Sequence, residues 1–70
     1  MQDFLMFYNR VCYENKLRLE IYNSRTVDWS IRIFQEDVRI VQVTDVDMEL
    51  TFAKAQIELK KWFIETKGGY

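Results

Sequence analysis

Asp45, Asp47 and Glu49 form the densest cluster of chemistry-bearing side chains in the sequence, three carboxylates at alternate positions ahead of a long amphipathic run. Hard divalent cations favour such oxygens, but a Ca²⁺ loop also needs a glycine turn and a distal bidentate glutamate in register, which this stretch lacks. Negative charge is also what the first turns of a helix prefer, by roughly 0.3–1 kcal/mol per residue at best. The cluster is therefore expected to serve the helix dipole and to hold no metal. In a protein that inhibits a nucleic-acid enzyme, the same acidic turn would be a candidate mimic of phosphates.

Other constellations are poorer still. Nucleophilic catalysis needs a base within hydrogen-bond reach of a thiol or hydroxyl. Cys12 has no such partner, because the sequence contains no histidine, and it falls on the apolar side of its segment. Ser24 and Ser30 read as a turn residue and an outer strand residue. Glu20 and Asp28 read as an exposed pair on facing strands, which is not a cleft. Phosphate-cradling loops place glycines before a helix, whereas Gly68 and Gly69 follow the last one. No catalytic, cofactor or metal residue is assigned, and an enzyme is not expected. Tyr22 and Phe34, with Arg18, Arg32 and Arg39, come closest to a surface on which nucleic-acid bases could stack. Glu20 and Asp28 share that face and dilute its charge, so nucleic acid is the alternative partner and not the first.

Those side chains have to be positioned by a small number of elements. The dominant one is Thr44 to Lys67. Thr44 and Asp47 form a weak capping box, and Gly68-Gly69 supplies the left-handed residue that ends helices. At helical pitch Met48, Phe52, Ala55, Leu59, Trp62 and Phe63 fall on one stripe. Val46, Leu50, Ala53, Ile57 and Ile64 form a second, interrupted by Lys60. Thr51, Lys54, Glu58, Lys61 and Glu65 make up a polar face. One stripe suffices to sit on a sheet. Two require cover from two sides, by the rest of the chain or by a second molecule.

Ahead of that helix, Phe4, Phe7, Tyr8, Val11 and Cys12 recur at helical spacing with Asp3 as a candidate cap, an edge strand being the alternative. Lys16–Asn23 and Thr26–Gln35 alternate as half-buried strands do. A three-residue loop Asn23-Ser24-Arg25 would set Ile21 opposite Val27, Leu19 opposite Trp29 and Glu20 opposite Asp28. Val38–Val43 is the third strand, after a turn at Glu36-Asp37 whose chemistry does not fix the register. A two-residue loop sends Val38 and Ile40 to the core and Val41 outward with Tyr22 and Phe34; an odd loop reverses the set.

The expected fold is a single α+β domain over residues 1–67, in the order α-β-β-β-α, with the long C-terminal helix packed on one face of a three-stranded antiparallel sheet. Residues 68–70 are expected to form a flexible tail. Ten basic and eleven acidic residues leave a formal charge of −1, too little to draw the chain toward nucleic acid or an anionic membrane. A single cysteine excludes an internal disulfide and fits a reducing compartment. The sequence shows no signal-peptide pattern and no apolar run of membrane-spanning length, so a cytoplasmic setting is expected.

The element order resembles that of the double-stranded RNA-binding domain. That family opens its last helix with a glycine-containing loop and a lysine cluster that clamp phosphates. The matching stretch here is Val43-Thr44-Asp45-Val46-Asp47-Met48-Glu49, acidic and without glycine, so the topology carries over and the basic motif does not. Thr26-Val27-Asp28-Trp29 with Ile31-Arg32-Ile33, and Met48-Glu49-Leu50 through Lys54-Ala55 to Leu59-Lys60-Lys61-Trp62, resemble small uncharacterised proteins encoded in phages and prophages of Gram-positive bacteria. The resemblance covers about the last two-thirds of the chain. It implies a small protein that binds and blocks a host protein.

A 70-residue domain buries only about 60–65% of its unfolded surface, and 49% of these residues are hydrophobic, so an apolar patch should remain outside. Such patches mark partner sites. The expected function is a non-catalytic protein-interaction module, self-associating as a homodimer or binding another protein. The candidate contacts are Leu50, Ile57 and Ile64 on the helix and Tyr22, Phe34 and Val41 on the sheet.

Overall fold

A computed structural model of the chain, which describes residues 2–24 and 28–70, has the order α1 (Gln2–Cys12), β1 (Leu17–Asn23), β2 (Trp29–Gln35), β3 (Val38–Asp45) and α2 (Met48–Lys67). The strands form one antiparallel sheet in the order β1-β2-β3. Both helices pack on the same face of it through one hydrophobic core. The expected α-β-β-β-α architecture is the observed one.

Helix α1 buries Phe4 and Phe7 and half-buries Tyr8 and Val11, the residues its 3.6-residue period picks out. Asp3 lies in the first turn, because the helix already begins at Gln2. At the other end the Asn15 amide donates to the Val11 carbonyl (2.8 Å) and the Gln35 amide donates to the Asn15 carbonyl (3.2 Å), fastening the helix to the sheet.

The β1–β2 register departs from expectation by four residues. Ile21 faces Ile31 and Leu19 faces Ile33, where Val27 and Trp29 were expected. An even shift preserves parity, so Leu19 stays on the core side. The shift replaces a like-charge pair by a complementary one: Glu20 now faces Arg32. It also sets isoleucine against isoleucine at the sheet centre, where Ile31 and Ile33 are fully buried. Arg25, Thr26 and Val27, part of the expected loop and strand start, lie outside the described residues.

At the β2–β3 turn Gln35 pairs with Val38, so the loop is the two residues Glu36 and Asp37. Phe34 then faces Arg39, but Ile33 faces Val41, leaving Ile40 as the extra residue of a β-bulge. One inserted residue moves everything after it to the other face of the strand. Val41 and Val43 therefore point inward, and Val41 is 4% exposed. The placement of Val41 on the outer sheet face is thus corrected: a two-residue loop does form, and the bulge cancels its parity.

Helix α2 starts later than the sequence suggests. Thr44 belongs to β3, with its hydroxyl 3.1 Å from that of Ser30, and the N-cap is Asp47, whose carboxylate accepts from the Leu50 amide at 2.8 Å. Gly68 closes the helix in the left-handed conformation at φ 78°, its amide donating to the Phe63 carbonyl. Phe52, Ala55, Leu59 and Phe63 are buried, with Met48 and Trp62 partly so, as their stripe requires. Thr51 departs from its expected polar face: it is fully buried, and its hydroxyl donates to the Asp47 carbonyl at 2.7 Å, one turn back. The two helices meet through edge-on aromatic pairs, Phe4 with Phe52 and Phe7 with Phe63, centroids 5.6 and 6.2 Å apart.

Candidate interaction surfaces

With both helices on one side of the sheet, two surfaces are left uncovered: the back of α2 and the outer face of the strands. The back of α2 follows from helical arithmetic. At 100° per residue the stripe of Leu50, Ala53, Ile57 and Ile64 lies roughly 150° around the cylinder from Phe52, Ala55, Leu59 and Phe63. A helix seated on a sheet by one stripe must aim the other away from it. Leu50 is 45% exposed, and Ile57 and Ile64 are each 57% exposed. Val46, just ahead of the helix, is exposed as well, and so is Met6 on α1. Neither the sheet nor α1 covers the stripe.

The polar neighbours of this stripe are largely engaged within the chain. Lys60, which interrupts it in sequence, carries its ammonium over the rings of Phe7 (5.2 Å) and Tyr70 (5.3 Å), drawing the charge toward α1. Tyr70 itself sits edge-on to Phe7 at 5.2 Å, so the tail expected to be flexible has its tyrosine against the α1–α2 seam. On the opposite flank Lys54 reaches Asp45 at 2.7 Å and Lys61 reaches Glu58 at 3.5 Å.

The outer sheet face carries Tyr22 and Phe34 as expected. Tyr22 is 64% exposed, whereas Phe34 is half-buried beneath the Arg18 guanidinium, 4.3 Å above its ring. Glu20 binds Arg18 and approaches Arg32 at 4.0 Å. Asp28 is exposed just before the start of β2, its carbonyl accepting from the Ser24 amide at 2.7 Å.

The acidic turn is occupied by its own backbone. The Asp45 carboxylate accepts from the amides of Val46 (2.7 Å) and Asp47 (3.3 Å) and from Lys54. The hydrogen bond from Lys54, helped by the backbone amides, holds the Asp45 carboxyl below its ordinary range. Asp47 caps α2, and Glu49 stands exposed in the first turn. Among the described residues no three His, Cys, Asp or Glu side chains are placed to share a metal ion. Cys12 is half-buried, its thiol directed at the Asn9 carbonyl (3.6 Å). Burial, with Cys12 nearby as a lesser cause, raises the Tyr8 phenol, which keeps it neutral at ordinary pH. No described helix is long and apolar enough to cross a membrane.

Two open grooves border α1, of about 410 and 510 Å³. The first runs past Arg10, Asn15, Phe63 and Tyr70, the second past Met6, Gln56 and Lys60. Neither brings a nucleophile to a base. Compared with family models, characterised proteins and solved structures, the chain matches none.

Sequence reasoning placed a second apolar stripe on α2 and left open whether the rest of the chain or a second molecule covers it. It missed two things on the sheet, the bulge at Ile40 and the arginine cover on Phe34. The direct cross-strand placement of Arg18 against Phe34 depends on the β1–β2 register, which alternation alone leaves free by any even number of residues.

Proposed function

We propose that the protein is a non-catalytic protein-interaction module, working in the cytoplasm, that engages its partner through the back of α2. One observation carries this: Leu50, Ile57 and Ile64 recur every seven residues as an exposed apolar row on the helix that also holds the core together. Isolated exposed apolar side chains need no explanation, but a regular row along about four turns is the pattern of helix pairing. Rigidity supports the same reading. The opposite side of α2 is locked by Phe52, Leu59 and Phe63, so the stripe is presented preformed and little ordering entropy opposes binding. A phage-type inhibitor or adaptor acting on a host protein would use this surface in the same way. The acidic turn is a weaker candidate for phosphate mimicry, because Asp45 and Asp47 already serve the amides that open α2.

The test is Ile57→Glu. A charge at an exposed site leaves the fold intact, while one at a contact has to be desolvated for the contact to form. The expected result is a native circular-dichroism spectrum with association, measured by light scattering or by retention of a protein partner, lost. A folded variant with association unchanged would refute the reading.

A second reading, an RNA-binding module of double-stranded-RNA-binding-domain-like topology, draws on the sheet. Arg18, Arg32 and Arg39 stand on its outer face with Tyr22, Phe34 and the acidic Glu20. It ranks lower because Arg18 already covers Phe34 and is itself held by Glu20.

A further inference from the structure

Resting on that reading, we infer that the occupant of the α2 stripe is a second copy of this chain, packed as an antiparallel helix pair with its two-fold axis at Ile57. Leu50 and Ile64 each lie seven residues from Ile57, a step of two turns less about 20°. Around an axis at Ile57, an antiparallel mate therefore sets Leu50 against Ile64 of the second copy, Ile64 against Leu50, and Ile57 against itself. Each of the three exposed apolar residues meets another. Such self-complementarity is what an isologous interface demands of a single surface.

Charge complementarity supports this direction. Glu49 and Lys67 share one flank of α2, at the same angular position, about 12 Å before and 15 Å after Ile57 along the axis. Antiparallel packing lays this flank along the same flank of the second copy and brings Glu49 within about 3 Å axially of Lys67 there, whereas a parallel two-fold pair places the two Glu49 side chains on opposite flanks and forgoes that pairing. The other flank brings Lys54 near Lys61 of the second copy, and here each lysine already has its own carboxylate, Asp45 and Glu58. Lys60 is no obstacle, since its ammonium is held over Phe7 and Tyr70. Ala53 adds a small side chain that allows close approach of the backbones.

Size sets the expected strength. A specific interface takes about a tenth of a small protein's surface, which for 4967 Å² is about 500 Å² per copy, near the lower limit for a specific pair. An interface of that size sits at the weak end of specific pairs, so association in the micromolar range is expected. The assembly would stack sheet, helices, helices and sheet, with both outer sheet faces free.

The experiment uses the full chain with Cys12→Ser and single cysteines introduced at the stripe. Under mild oxidation Ile57→Cys should cross-link to itself. Leu50→Cys mixed with Ile64→Cys should give the heterodimer at least tenfold faster than either gives its own homodimer, because a disulfide needs Cα atoms within about 7 Å. Sedimentation of the unmodified chain should show a monomer–dimer equilibrium, and Glu49→Lys should weaken it while Glu49→Lys with Lys67→Glu restores it. Self-cross-linking at all three positions would mean a parallel pair and overturn the inference while leaving the stripe an interaction surface. A strictly monomeric chain would overturn it too, and Ile57→Glu then tests the broader reading separately against a different protein.

Discussion

Ile57 and Leu59 stand two positions apart on α2 and face opposite ways, Leu59 with no exposed surface and Ile57 with 57% of its surface exposed. Two residues of nearly equal hydrophobicity thus have different tasks. Leu59→Ala should cost about 2–5 kcal/mol, the range for emptying a leucine site in a packed core. Ile57→Ala should change monomer stability by no more than about 0.5 kcal/mol. Urea denaturation at a concentration where the chain is monomeric measures both. Comparable losses would mean that the stripe is internally packed.

Glu36 adopts φ 56° in the two-residue turn between β2 and β3, a conformation that L side chains resist and glycine accepts. Its ion pair with Lys16, 3.9 Å apart and exposed at both ends, offers little in return. Glu36→Gly should therefore stabilise the fold by about 0.5–1 kcal/mol, seen as a rise of a few degrees in the thermal midpoint. A fall would show that the turn relies on the glutamate side chain.

Asp45 has its carboxyl held below the ordinary value by Lys54 and the amides of Asp47 and Val46. A group whose folded pKa is depressed stabilises the fold above its unfolded pKa, and that contribution disappears as pH falls through the folded value. Asp45→Asn should thus be less stable than the wild type at neutral pH, and the gap should close as pH drops below about 4. Denaturation midpoints from pH 7 downward provide the comparison, and a gap independent of pH would contradict the assignment.

Arg32 occupies the centre of the outer sheet face, opposite both Glu20 and Gln42. If the sheet bound nucleic acid, phosphate contacts would give a steep dependence on salt. Gel shifts with single-stranded RNA, duplex RNA and duplex DNA at moderate salt should show weak binding or none. Tight, salt-sensitive retention abolished by Arg32→Glu would move the function to the sheet.

The sequence by itself left the first segment open between helix and edge strand, but determined the three strands and the long final helix, the core stripe of α2 and the presence of a second stripe behind it. Each is a local periodicity: Phe52, Ala55, Leu59 and Phe63 share a face because of helical pitch, whatever packs against them. Alternation also settled which side of β1 and β2 is apolar. Tertiary structure decided what periodicity leaves degenerate. The β1–β2 pairing moved by four residues at constant parity, because cross-strand partners such as Glu20 and Arg32 are chosen between strands and not along them. The bulge at Ile40 turned Val41 inward, since one unpaired residue reverses a strand's faces without any signal in its composition. Thr51 went into the core because its hydroxyl could bond to the carbonyl of Asp47 one turn back. The exposure of Ile57 was decided in the same way: α1 packs beside α2 through Phe4 and Phe7, on the flank of the sheet-facing stripe, and so leaves the opposite stripe to solvent.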